Sequence, residues 1–238
     1  MPAATARPTR TPARAPARTP ARDRILIAAA RLFYADGIVA TGIDTVTAEA
    51  GVAKMSLYNN FASKADLVTA YLEARHAEWL DLYRARLAAA TDPAGRVLAV
   101  FDAYTDHAHR ADRADRTDRA DRTDRADPTD RTDRTDQSDR ADAVGARGFR
   151  GCGLLNAAGE LPAGDPGRDV VRRQKEQVEA LLAEHVAALR PGDPDRAAAL
   201  AEHLAYVLEG AMARAGLDGE DHRLRRARAI AVDLLARA

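Results

Sequence analysis

Apolar positions recur along this chain with the period of a helix rather than that of a strand. Ile25, Leu26, Ala29, Leu32 and Phe33 share one face of a first helix, opening near Asp23 and stopped by Gly37. A short second helix fits Ile43–Ala50, entered through Thr41 and Gly42, and a third fits Lys54–Asn60. Gly51, Val52 and Ala53 form the turn between them. Ser63 has the side chain and position of an N-cap for a long helix over about 63–90, striped by Leu67, Tyr71, Trp79, Tyr83 and Leu87. Pro93 suits the first turn of the next helix, which carries Val97, Val100, Phe101 and Tyr104.

Periodicity then stops. Residues 106–146 are a low-complexity block in which Asp and Arg alternate with Ala or Thr every three residues. Over 106–142 it holds twelve Asp and nine Arg. A period of three fits neither a heptad nor a solenoid unit. With almost nothing apolar to bury, the block is either a solvated, marginal helix or disordered, and it reads as an expanded loop inside the fold. Helical patterning resumes with "FRGCGLLNAAGEL", continues over Asp169–Leu189, and passes the turn "PGDPD". Leu200, Leu204, Val207, Leu208, Ala211 and Met212 mark another helix, expected to end at Gly216, and Leu224, Ile230, Leu234 and Leu235 mark the last. The expectation is an all-α protein of about nine helices. It comprises a three-helix N-terminal domain over 23–70 and a helical domain over 71–238 interrupted by the repeat.

Composition narrows the chemistry. Hydrophobic residues make up 46% of the 238 but aromatics only 5%, so the core is Ala, Leu and Val, as suits close-packed helices. Net charge is zero, yet residues 1–22 are almost wholly Pro, Ala, Arg and Thr and read as a disordered basic arm. Such an arm is either an inert leader or a segment that touches phosphate or a minor groove. Cys152 is the single cysteine, which excludes an internal disulfide and points to a reducing cytoplasm. Arg31 interrupts the one run resembling a signal peptide, and no run approaches the ~18 apolar residues of a membrane span.

The segment "GVAKMSLYNNFASK", residues 51–64, is the odd one. It holds two of the chain's three lysines, two adjacent asparagines, a Tyr and a Phe. A tight turn before a short, polar-faced helix is what a helix-turn-helix needs. Val46, Ala50, Val52 and Leu57 supply a small apolar inner face, while Lys54, Ser56, Tyr58, Asn59 and Asn60 supply an outer face able to reach bases and phosphates. Lys64 stands in the first turn of the following helix, where a phosphate would offset its unfavourable placement in the helix dipole.

"TGIDTVTAEAGVAKMSLYNNFASKADLV" resembles the DNA-binding domain of the TetR (tetracycline-repressor-like, TetR/AcrR) transcriptional regulators, over about residues 23–70. The resemblance implies phosphate contacts at Thr41, Tyr58 and Lys64, and major-groove positions at Lys54, Met55 and Ser56, with Asn59 beside them. Two positions depart from the family pattern. Asn59 and Asn60 stand where a His is usual, and Ala53 stands where a Ser or Thr cap is common. The resemblance further implies a homodimer through the last two helices, a double-stranded DNA operator and a small-molecule effector. No cofactor, catalytic or metal residue is implied.

Trp79, Tyr83, Phe101 and Tyr104 are core residues on the simplest reading. They are also the candidate aromatic walls of an effector pocket, with Asn156, Tyr206 and Glu209 as its polar points. Cys152, His185 and His203 are expected to be core or pocket residues. The expected function is a ligand-responsive repressor on a palindromic operator. The alternative is a helical small-molecule carrier or enzyme, against which no nucleophile–base pair, paired carboxylates or phosphate-binding glycine loop can be assembled.

Overall fold

The structure is a computed structural model that describes residues 19–125 and 149–237. Nine helices and no strand account for the regular structure among the described residues. In chain order they are α1 (Ala21–Asp36), α2 (Ile43–Ala50), α3 (Lys54–Tyr58), α4 (Lys64–Ala89), α5 (Pro93–Arg125), α6 (Gly153–Glu160), α7 (Pro166–Leu189), α8 (Pro194–Asp218) and α9 (His222–Ala236).

The first three helices and the start of α4 form a small head. Ile25, Ala28, Ala29 and Phe33 recur at three- and four-residue spacing, so one face of α1 is buried. The Phe33 ring meets Tyr71 of α4 edge-on at 5.4 Å. Gly37 ends α1 at φ +92°, a backbone that disfavours a side chain. Ser63 caps α4 by accepting from the Asp66 N–H at 3.0 Å. α4 then runs 26 residues, roughly 39 Å at 1.5 Å per residue, out of the head and into the second layer. There it packs against α5 and α7, while α8 lies between α7 and α9.

Two bidentate ion pairs fix α5 laterally. Arg86 of α4 donates to both Asp106 oxygens at 2.6 and 2.7 Å, and Arg228 of α9 donates to Asp102 at 2.6 and 3.2 Å. These contacts revise the boundary drawn at residue 106, because Asp106, His107 and Ala108 are packed parts of α5. The helix also continues through Arg125, so the first half of the Asp-Arg repeat is helical rather than loop. The rest of the repeat, from 126, lies outside the described residues, as does the arm over 1–18.

Three smaller corrections follow. The basic arm ends earlier than residue 22, because α1 begins at Ala21 and the Arg22 guanidinium sits 5.3 Å from the centre of the Phe61 ring. Gly216 does not end α8, which runs on to Asp218 and is capped by left-handed Gly219. His203 is exposed, whereas His185 is buried and bonded through Nε2 to the Tyr83 hydroxyl at 2.6 Å.

Candidate nucleic-acid interface and internal cavity

The turn between α2 and α3 is built by glycine. Gly51 sits in the left-handed region (φ +60°, ψ 44°), and its N–H donates back to Ala48 O while the Val52 N–H donates to Thr47 O. The terminal carbonyls of this unit find a partner from α1. Nη1 of Arg24 donates to Ala50 O at 3.1 Å and to Gly51 O at 3.0 Å. Its cation therefore meets the negative end of the α2 dipole. Arg24 was not singled out from sequence, because a partner 26 residues away leaves no local signal.

The third helix has five residues and one buried side chain, Leu57, with no exposed surface. Ala53 at its N-cap gives it no side-chain hydrogen bond, and Phe61 closes its far end at 5% exposure. A helix this short is held by tertiary packing, not by its own hydrogen bonds. Its other residues face outward. Met55 is 70% exposed and Tyr58 43%, and Lys54, Asn59 and Asn60 are also exposed. Ser56 is half-buried, and its carbonyl accepts from the Asn60 side-chain amide at 2.8 Å. Lys64 is partly exposed at the start of α4.

One ion pair and one hydrogen bond near this face were not legible in the chain. Lys54 pairs with Asp44 of α2 at 2.8 Å, and that hydrogen bond raises the lysine pKa. Both partners are solvated, so the pair adds little stability but masks a cation on the outer face. Thr41 departs from the phosphate-contacting expectation. It is 3% exposed, and its hydroxyl donates to Gly37 O at 2.6 Å, closing the loop between α1 and α2. A hydroxyl already committed inward is not available to a backbone phosphate.

Inside the second layer lies a cavity of about 30 Å³, walled by Trp79, Tyr104, His107, Phe149, Cys152 and Met212 among others. That volume holds a water or two, far below the ~300–1,000 Å³ of a drug-sized site. Of the seven expected pocket residues, Trp79 and Tyr104 line it, their rings 5.1 Å apart. Tyr83 and Phe101 are buried away from it in the helix packing. The Asn156 amide donates to Arg150 O. Tyr206 is 63% exposed and bonds Glu202 on its own helix, so it is not a wall. Glu209 lies close by, paired at 2.7 Å with Lys175, whose Nζ is also 3.4 Å from the Tyr104 hydroxyl and 3.6 Å from Cys152 Sγ. Burial opposes the Lys175 charge, but these neighbours outweigh it and raise its pKa. Arg75 and His107 flank the cavity around Glu78. Burial would raise that carboxyl, yet His107 and Arg75 hold it at about 2. The charged groups at and behind this wall, Arg75, Glu78 and Lys175, were not singled out from sequence, because their partners lie on other turns and other helices.

Comparison with known proteins agrees with this geometry. Residues 25–71 match the family model described as "Bacterial regulatory proteins, tetR family". The HTH-type transcriptional activator FasR of Mycolicibacterium smegmatis is 35% identical over 85 residues, spanning 36% of this chain and 39% of that protein. The chain thus matches about two fifths of that relative's length. A TetR-family transcriptional regulator of Streptomyces coelicolor has a similar structure, with a TM-score of 0.67 and 28% identity over 91% of this chain and 94% of that one. The reduced form of NemR from E. coli shares the fold at a TM-score of 0.62 and 19% identity, over 90% and 97% of the two chains. With its outward α3, glycine turn and helical second layer, the chain carries over residues 25–71 a head of the kind found in the bacterial regulatory proteins of the tetR family, and its whole fold is similar to that of a TetR-family regulator.

Proposed function

We propose that the chain acts as a homodimer that reads a palindromic operator and releases it when a small molecule occupies the second layer. The outward polar face of α3, seated on Leu57 alone, carries this reading. Lys54, Met55, Ser56 and Asn59 face the major groove, and Tyr58 and Lys64 hold the phosphates beside it. A two-fold pair of such heads, ~34–36 Å apart, reads half-sites on successive turns of the duplex. Tyr206, Leu217 and Val232 are 63%, 81% and 41% exposed in the single chain, and they supply apolar area for a dimer through α8 and α9. The cavity beside Trp79 and Tyr104 is the seat of the effector, which acts by favouring a head spacing that no longer fits the operator. Repression is the proposed output. FasR is named an activator, so a second reading has the same complex recruit transcription.

The test is retention of fragmented genomic DNA by the purified full chain, followed by sequencing. A short palindrome lost on Tyr58→Ala supports the proposal, and the position of that site relative to the promoter separates repressor from activator. Retention without sequence preference, indifferent to Tyr58, refutes it and returns the second layer to a carrier role.

A further inference from the structure

The short helix α3 has five residues, one buried side chain and no side-chain cap, so its pose is decided by what holds its two ends. Its entrance is the Gly51 turn. There the Gly51 and Val52 N–H groups return to Ala48 O and Thr47 O, which leaves the carbonyls of Ala50 and Gly51 at the hinge itself. Both accept from Nη1 of Arg24, at 3.1 and 3.0 Å. A cation shared by two carbonyls makes a charge-assisted contact, stronger than a neutral one.

Arg24 is itself held in place. Its backbone N–H donates to Pro20 O at 3.2 Å, and its neighbour Ile25 is fully buried, so the backbone from which it reaches is anchored in the core of the head. The exit of α3 is met from the same end of α1. The Arg22 guanidinium sits 5.3 Å from the centre of the Phe61 ring, and the Phe61 N–H donates to Leu57 O at 2.9 Å. Farther along, Arg31 joins α1 to Glu49 of α2 at 2.5 Å. Gly51 and Arg24 act separately. A Cβ on Gly51 would stand 3.7 Å from Nη1, an ordinary contact, so glycine is required there by its positive φ and not by the arginine.

We propose that Arg24 is a positioning residue for sequence recognition: by pinning the α2–α3 turn to α1, it sets where Lys54, Met55 and Ser56 stand against the base edges. This rests on the reading above that α3 faces the major groove. Base-edge hydrogen bonds weaken steeply with misalignment, whereas a phosphate is held by charge and tolerates small displacements. Lys64 stands on α4, beyond the Phe61 closure, so it need not follow the turn. Loss of Arg24 therefore costs discrimination between sequences and spares the general attraction to DNA. Two plainer roles make different demands. An arginine needed only for folding would lower affinity for every duplex alike. An arginine on a phosphate would do the same and also flatten the dependence of log K on log salt by about 0.9.

The probes are the duplex recovered from genomic selection and a scrambled duplex of the same length, each titrated with full chain over a range of salt. Arg24→Met is expected to lower the ratio of the two affinities about tenfold or more, with the scrambled duplex changed less than about twofold and the salt slope unaltered. Arg24→Lys, which keeps a cation within reach of the carbonyls, should recover at least half of that loss on a logarithmic scale. If Arg24→Met fails to fold, Arg24→Gln, with a shorter and neutral donor, takes its place, and the ratio should fall about threefold or more. An unchanged ratio, an equal loss on both duplexes, a flattened salt slope or no recovery with lysine each overturns the positioning role. A wild-type chain that recovers no preferred duplex refutes the reading of α3 itself, and the role of Arg24 falls with it.

Discussion

Truncating Leu57 isolates the recognition helix from the rest of the molecule. The side chain is fully buried and is the one buried residue of α3. Removing it forfeits about 2–5 kcal/mol, the usual range for Leu→Ala in a core. Alanine's better helix propensity returns at most a few tenths of that, so loss of burial wins. A five-residue helix has no hydrogen-bond reserve to cover the deficit. At about 1.4 kcal/mol per factor of ten, the equilibrium for a docked α3 falls by roughly 30-fold to several-thousand-fold. α3 packs mainly on α1 and α2, so unfolding of the second layer should not follow. The assay pairs DNA titration with denaturant unfolding followed at Trp79, which is buried in the second layer. The expected outcome is loss of DNA binding with an unchanged Trp79 transition. Leu57→Ala protein that binds DNA like the wild type would show that α3 is held by something other than this contact. Loss of the Trp79 transition would show that head and second layer fold as one unit.

Further outcomes follow from the same geometry. Lys64→Ala should weaken binding to every duplex alike and flatten the dependence of log K on log salt by about 0.9, the share of one phosphate contact, as titration from low to high salt would show. Asp44→Asn frees Lys54 from its 2.8 Å partner, so nonspecific DNA affinity should rise and the salt slope steepen, with the melting temperature unchanged because the pair is solvated. His76, His107 and His185 have pKa values lowered by burial, so the unfolded chain binds protons more readily than the folded one below about 6.5. Their stability contribution is complete above that value and is lost as pH falls through the lowered ones. Thermal melting from pH 7.5 to 5 should therefore show a falling midpoint, and a flat profile would refute the assignment.

What the chain discloses in advance is what depends on local period and turn chemistry. The Ser63 cap, the Gly51 turn, the stop at Gly37 and the absence of a side-chain cap at Ala53 all follow from a few neighbouring residues. What it conceals depends on contacts across the fold. The Thr41 hydroxyl turns inward because Gly37 O lies within reach, which its place before α2 does not reveal. Gly216 looks like a helix stop but is a crossing point, because the backbone it meets lies 66 positions earlier. The triplet repeat reads as loop by composition, but its first residues inherit helix from the packed turns of α5 before it.

The smallness of the cavity has a consequence for the threshold of the response. On the effector reading, any molecule larger than a water or two must bind a conformer whose walls have parted. Its apparent dissociation constant is then the intrinsic one divided by the fraction of chains already open. Sensitivity is thus set partly by how tightly Trp79, Tyr104 and Phe149 close on each other when nothing is bound. Substitutions that loosen this closure without touching the effector would shift the dose at which the switch turns, and related chains could be tuned to different concentrations of one compound while keeping the same contacts to it.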